Sequence, residues 1–245
     1  MSIESIQIHM NSNQATSYND NLTSDCNFSL PLIEVPSQHY IWLSVIHANI
    51  PYSFYNIESS NSTLVYYIST VKYRVDIPFG NYNVRQLLSY LKSQMVNFNI
   101  TYSSITNKFT FTHLYYDFAF DNIESTCFKL IGFVNYSYSN LKSLTSVNCI
   151  DLMTHKCICI MTDFNTGSIN LSNKSNMSIL QSMAVSDAPF GMLNMNYTPN
   201  RVCLYTNSLS SMRLKITDQS NRPIEFNGCG WTITLQIDVI KFIDE

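Results

Sequence analysis

Apolar and polar residues alternate with a period of two along most of this chain. In the clearest run Trp231, Ile233, Leu235, Ile237 and Val239 share one face, while Thr232, Thr234, Gln236 and Asp238 share the other. A strand with one dry and one wet face requires that pattern. The same period recurs at Phe28, Leu30 and Leu32, at Leu64, Tyr66 and Ile68, at Tyr73, Val75 and Ile77, and at Met212, Leu214 and Ile216. Between His39 and Ile50 the alternation changes phase near Ile46, which predicts a bulge or bend inside one long strand. Thr101 to Thr112 reads as a hairpin with Thr106-Asn107 near its turn and Phe109 and Phe111 pointing inward.

The period changes to 3.6 only after Pro78-Phe-Gly-Asn81. There Val84, Leu87, Leu88, Leu91 and Met95 form one helical stripe, and Asn83 is placed to cap it. That stripe is expected to pack across an open end of a sandwich. Cys127 to Phe133 reads as a helical turn stopped by Gly132. Leu144 to Met161 is strand-like with a break at Thr154-His155. Asn165 to Asn200 is loop-rich, with strand candidates at Ile169 and at Ile179 to Val185. Ile3, Ile6 and Ile8 make a weak first strand, and the polar stretch from Asn11 to Asn21 reads as a loop or arm. Many strands with one amphipathic helix in a connection predict an all-β fold, a single jelly-roll β-sandwich of two antiparallel sheets. No linker, repeat or composition break divides the sequence, so residues 1–245 read as one domain, with residues 1–25 a candidate extended N-terminal arm.

Composition narrows what such a scaffold does. Hydrophobic residues make up 45% of the 245, enough for a sizeable core, whereas charged residues make up only 13%, about half the usual share. Scarce charge with abundant Tyr, Asn and Ser fits a surface that meets other protein, although an AT-rich genome would bias composition the same way. The formal net charge of −3 and the scatter of 14 Lys and Arg argue against direct nucleic-acid binding, which needs a basic face. Arg213 and Lys215, the nearest approach to a cluster, read as the wet face of a strand. There is no secretory signal pattern and no apolar run long enough to span a membrane. The sequons at Asn21, Asn61, Asn135, Asn176 and Asn196 are therefore expected to be unmodified. Seven cysteines at irregular spacings are expected to be reduced, buried and structural in a cytoplasmic product.

Candidate chemistry is sparse. His155-x-Cys157-x-Cys159 has the most metal-like spacing. Same-face Cα atoms of a strand lie about 6.6 Å apart, however, and two thiolates on one zinc need sulfurs about 3.8 Å apart. Buried cysteines are the preferred reading. His9, His39, His47 and His113 are dispersed, and no nucleophile elbow or phosphate-cradling glycine loop is present. Trp231 belongs to a dry face and is expected in the core. Trp42 is out of phase with its neighbours, which predicts partial exposure and makes it a possible interface anchor. No catalytic, cofactor-binding or metal-binding residue is assigned, and an enzyme is not expected.

Several stretches, in order, resemble the single jelly-roll penton and minor capsid proteins of icosahedral DNA viruses of the virophage, polinton-like and giant-virus lineage. They are Ser24-Asp-Cys-Asn-Phe-Ser-Leu-Pro31, Ala48-Asn-Ile-Pro-Tyr-Ser-Phe-Tyr55, Ile77-Pro-Phe-Gly-Asn-Tyr82 with its helix, Asn107-Lys-Phe-Thr-Phe111, Leu214-Lys-Ile-Thr-Asp-Gln219 and Phe226-Asn-Gly-Cys-Gly-Trp-Thr-Ile-Thr-Leu-Gln-Ile237. Tyr136 to Asn200 matches nothing in that family. The resemblance implies a virion protein at the capsid vertex, a homopentamer contacting a double jelly-roll major capsid protein and other minor capsid proteins. It would be made in the host cytoplasm or a virus factory, and the family has no catalytic residues to transfer. The arm would reach toward a neighbour or the shell interior. A non-vertex minor capsid or cement protein, a trimeric receptor-binding head, and an enzyme or lectin on a β-sandwich are the competing readings.

Overall fold

The computed structural model describes residues 3–20, 22–134, 138–166, 177–195, 198–204, 206 and 208–241. In chain order the elements begin with β1 (Ile3–Asn11), β2 (Ser17–Tyr18), β3 (Asp25–Glu34) and β4 (His39–Pro51). There follow β5 (Thr63–Ile68), β6 (Val71–Asp76), α1 (Val84–Gln94), β7 (Phe98–Ser103), β8 (Lys108–His113), β9 (Phe118–Phe120), β10 (Tyr138–Leu141) and β11 (Ser143–Thr145). The chain continues through β12 (Cys157–Thr162), β13 (Ser178–Ala184), β14 (Met192–Asn194), β15 (Arg201–Leu204), β16 (Ser208–Asp218) and β17 (Thr232–Lys241). Contacts divide these elements into two compact units, Met1–Phe54 with His155–Glu245, and Tyr55–Thr154. The sequence, read as a single domain, shows no break at either boundary.

The first unit is built from two sheets. One has the order β1-β17-β4-β14, with β15 also on β4, and the other β13-β12-β16-β3-β2. β14 and β15 pair with successive parts of β4, at Asn49–Pro51 and at Ile41–Ser44, so they act as one interrupted strand. Leaving aside the two-residue β2, the long strands in chain order then read 1-8-3-6 in one sheet and 2-7-4-5 in the other. Strand 1 pairs with 8, 2 with 7, 3 with 6 and 4 with 5. That nesting is what a long hairpin gives when it is rolled into a sandwich, and it defines a jelly roll.

The alternating residues do what their period requires. Ile41, Leu43 and Val45 from β4 pack with Ile233, Leu235, Ile237 and Val239 from β17, and with Leu214 and Ile216 from β16. Trp231 is buried in this core, stacks edge-on against Phe28 and donates its indole N–H to the Thr23 carbonyl at 2.7 Å. The phase change in β4 is a bulge. Thr234 lies opposite His47 and Leu235 opposite Val45, which leaves Ile46 as the extra residue. Past it the alternation resumes one position later, so Ala48 and Ile50 return to the core.

Residues 3–20, expected as part of an extended arm, are folded in. β1 pairs with β17 without a break from Ile3↔Ile240 to Asn11↔Thr232. Beyond it the Asn11 side chain accepts from the Asn13 N–H, the Ser12 N–H donates to the Trp231 carbonyl, and Ser17 and Tyr18 pair with β3. Ile6 and Ile8 pack on the core and Met10 is buried in it; burial of that apolar edge, and not the polar tally of residues 11–21, decides the outcome.

The second unit holds a four-stranded sheet, β10-β9-β5-β6, a three-stranded sheet, β11-β8-β7, and α1. Asn83 and Gln86 form a reciprocal capping box at the start of α1. The helix stripe, expected to pack across the end of a sandwich, packs inside this unit. Leu87, Leu91 and Met95 pack in this unit's own core, with Phe98, Ile100, Phe109 and Phe111. Aromatic rings dominate that core, and Phe98, Phe109, Phe111, Phe118, Phe120, Phe128 and Phe133 meet mostly edge-on at centroid distances of 4.9 to 6.1 Å, the spacing ring quadrupoles favour. The β7–β8 hairpin turns at Asn107, whose positive φ of 53° is one Asn tolerates. Leu144 to Met161 is not one interrupted strand. It yields the short β11, an irregular stretch from residue 146 to 156, and β12. Ile179 to Val185 is largely β13, whereas Ile169 lies outside the described residues.

Candidate interaction surface

The sequence singles out no residue for catalysis, and polar side chains converge at three places. Cys157 and Cys159 sit two apart on β12, facing away from the core that Ile158 and Ile160 enter. Strand geometry alone sets their Cα atoms too far apart for shared chemistry. The neighbouring Cys159 holds the Cys157 thiol down to about 7, while Cys157, with burial, pushes Cys159 well up. His155 lies before the strand and is buried, its Nδ1 3.8 Å from the Asp218 carboxylate. Among the described residues no three His, Cys, Asp or Glu side chains are grouped so as to hold a metal ion. The cysteines are all free, but they are not uniformly buried, since Cys149 and Cys229 are exposed and Cys157 and Cys203 half-buried.

Arg213 and Lys215 are not merely solvated. Asp25, only 2% exposed, accepts from Arg213 Nε and NH2 at 2.7 and 2.8 Å and from the Asn19 amide at 2.8 Å, with Lys215 Nζ 3.7 Å away. The strand register that sets Lys215 opposite Asp25 produces the pairing. Burial pushes the Asp25 carboxyl up, but the Arg213 and Asn19 hydrogen bonds and the two positive charges outweigh it, and its pKa ends below the ordinary 3.8. Trp42 is half-buried as its phase predicts, yet its ring is covered by the Arg201 guanidinium at 5.1 Å, and Arg201 in turn pairs with Asp238 at 2.8 Å.

Among the described residues several large apolar side chains are left open. In the second unit Val96, Leu114, Tyr115 and Tyr116 are exposed large side chains, and the Leu114 N–H donates to the Asn97 carbonyl at 2.9 Å. The buried His113 fixes this corner. Its Nδ1 accepts from the Tyr116 N–H at 2.9 Å, and its ring stacks on Tyr116 with centroids 5.7 Å apart. Exposed Tyr held rigidly by the backbone is the side chain that protein interfaces favour, because little conformational freedom is lost on contact.

Each unit also presents one exposed phenylalanine on a Pro-Phe-Gly turn. Phe79 of Pro78-Phe-Gly80 is 59% exposed, and Phe190 of Pro189-Phe-Gly191 is 79% exposed. Phe190 has a φ of 68° and its turn is tied down by hydrogen bonds between Phe190 and Tyr52 and between Tyr52 and Gly191. A non-glycine residue at positive φ costs on the order of 1–3 kcal/mol, and here it projects a phenyl ring into solvent. Alternation does not reveal these residues, because they sit in turns. The repeated tripeptide was the available signal.

No family model matches the chain. An uncharacterized protein, L356, of Acanthamoeba polyphaga mimivirus is 28% identical over 102 residues, which is 41% of this chain and only 16% of that protein. Among solved structures, the mavirus penton protein aligns over 97% of this chain and 100% of its own, with a TM-score of 0.51 and 11% identity. The chain has the fold of that penton protein. A capsid protein of bacteriophage P23-77, VP17, aligns with a TM-score of only 0.24, which carries no argument. At 11% identity the likeness is one of fold. It agrees with the nested strand pairing of the first unit and with the resemblance in the sequence.

Proposed function

We propose that this chain is a structural capsid protein and, more narrowly, a penton subunit, five copies of which close each fivefold vertex of an icosahedral shell. The observation that carries the proposal is the jelly-roll strand order together with alignment to a virophage penton protein over nearly the whole of both chains. Low surface charge supports it, as do apolar side chains held out on rigid turns, since a cyclic, heterologous interface needs neutral lateral surfaces. In this reading the role is scaffolding, not catalysis. The partners are further copies of the chain, a double jelly-roll major capsid protein and other minor capsid proteins. The destination is the virion, after assembly in the host cytoplasm or a virus factory.

Native mass spectrometry of the full chain, together with its copy number in purified virions, tests the proposal. A discrete species at five times the subunit mass and a copy number matching vertex occupancy are expected. A stable trimer, or a copy number matching the facets, would overturn the vertex assignment.

A further inference from the structure

An open cleft of about 540 Å³ lies in the second unit beside Phe79, within the size range of small-ligand sites. Its floor is a polar array fixed by strand pairing. Thr63 of β5 faces Asp76 of β6, and the period of two sets Arg74 on the same outward face as Asp76. Arg74 Nε donates to both Asp76 carboxylate oxygens at 2.9 and 2.8 Å, the Thr63 hydroxyl donates to Asp76 Oδ1 at 2.9 Å, and Arg74 NH2 reaches the Thr63 hydroxyl at 3.4 Å. Ser59 and Ser62 add hydroxyls to the lining. The wall is the Phe79 ring, and its turn is locked because Ile57 and Gly80 exchange both backbone hydrogen bonds at 3.0 and 3.1 Å.

We infer that this cleft binds a neutral saccharide. A pyranose ring has an apolar C–H face and an equatorial rim of hydroxyls that each donate and accept. An exposed, pre-positioned aromatic ring suits the first, through its negative π face. An array carrying fixed donors and acceptors side by side suits the second. The Arg74–Asp76 pair is charge-neutral as a unit, so it offers no net attraction to an anion, and Asp76 repels a carboxylated sugar. The inference does not rest on the oligomeric state or on the capsid reading.

The test is binding of the full chain to an array of galactose-, mannose- and N-acetylglucosamine-terminated oligosaccharides alongside sialic-acid-terminated ones, followed by titration of the best probe. Saturable binding to a neutral probe is expected. Phe79→Ala should weaken it by about tenfold or more, Phe79→Tyr should retain it, and Asp76→Asn should weaken it. Circular-dichroism melts should show Phe79→Ala folded like the parent. Absence of binding to every neutral saccharide overturns the inference. So does binding that Phe79→Ala leaves unchanged, or a Phe79→Ala defect confined to self-association.

Discussion

Asp25 shows how a buried carboxylate and its partners shape stability. Its folded pKa lies below the unfolded value near 3.8, so its contribution is fully present above that value. It is lost as pH falls through the folded pKa. Asp238 behaves alike, since burial pushes it up but hydrogen bonds from Ser5, Gln236 and Arg201 bring it below the ordinary value. Chemical denaturation should therefore show the first unit weakening below about pH 4, and Asp25→Asn should cost about 1.5–3 kcal/mol at neutral pH while flattening that acid limb. An unflattened limb would show that other groups govern it. Cys157 offers a second pH signature. Its alkylation, followed by peptide mass spectrometry, should rise with a midpoint near 7, because the thiolate is the reactive form. Cys159→Ala removes the neighbour that lowers it and should move that midpoint up. Neither property was legible beforehand. The sequence shows Arg213 and Lys215 alternating with apolar residues, but the acid they meet lies 188 residues away in the chain, and only register brings the three together.

Among the elements, those with a local cause were readable and those with a remote cause were not. α1 carries its stripe and its cap within a dozen residues, and both appear as expected. Asn83→Ala should cost about 1 kcal/mol by urea denaturation. The bulge in β4 was readable too, because an extra residue must shift the alternation. By contrast, β1 reads weakly on its own, and its pairing with β17 depends on a strand at the other end of the sequence. Gly132 shows the same limit. The sequence marks it as a helix stop, yet its importance comes from elsewhere. Its φ is +82°, and a Cβ there would lie 2.3 Å from the Asn148 carbonyl oxygen, while the Gly132 carbonyl accepts from the Asn148 N–H. Gly132→Ala must break that close approach and should destabilise the second unit by about 2 kcal/mol or more. A melt within experimental error of the parent would refute this account. Stretch 136–200 resembled nothing, yet its described residues supply β10 through β14. Short strands bounded by turns leave little periodicity to recognise.

For the molecule as a whole, the apolar corner at Leu114, Tyr115 and Tyr116 makes the assembly reading testable apart from the fold. Replacing Tyr115 and Tyr116 by Ser should leave the melting temperature nearly unchanged, since both rings are largely in solvent. It should reduce incorporation into particles, measured by copy number. Normal incorporation would remove this corner from the interface. Nested strand pairing has a different consequence, which concerns time. The first unit is interrupted after Phe54 and resumes at His155, and β1 finds its partner only in β17, more than two hundred residues later. At roughly 5–20 residues per second on a ribosome, β1, β3 and β4 wait on the order of ten seconds or more before β16 and β17 emerge. During that wait the second unit, whose strands and helix are contiguous in sequence, is already complete. Pulse-labelled hydrogen exchange during refolding should protect β5–β8 before β1 and β17, because long loops close last. Until β16 and β17 emerge, β1, β3 and β4 are hydrophobic strands without their long-range partners, the kind of exposed edge that makes a nascent chain prone to misassembly and dependent on protection.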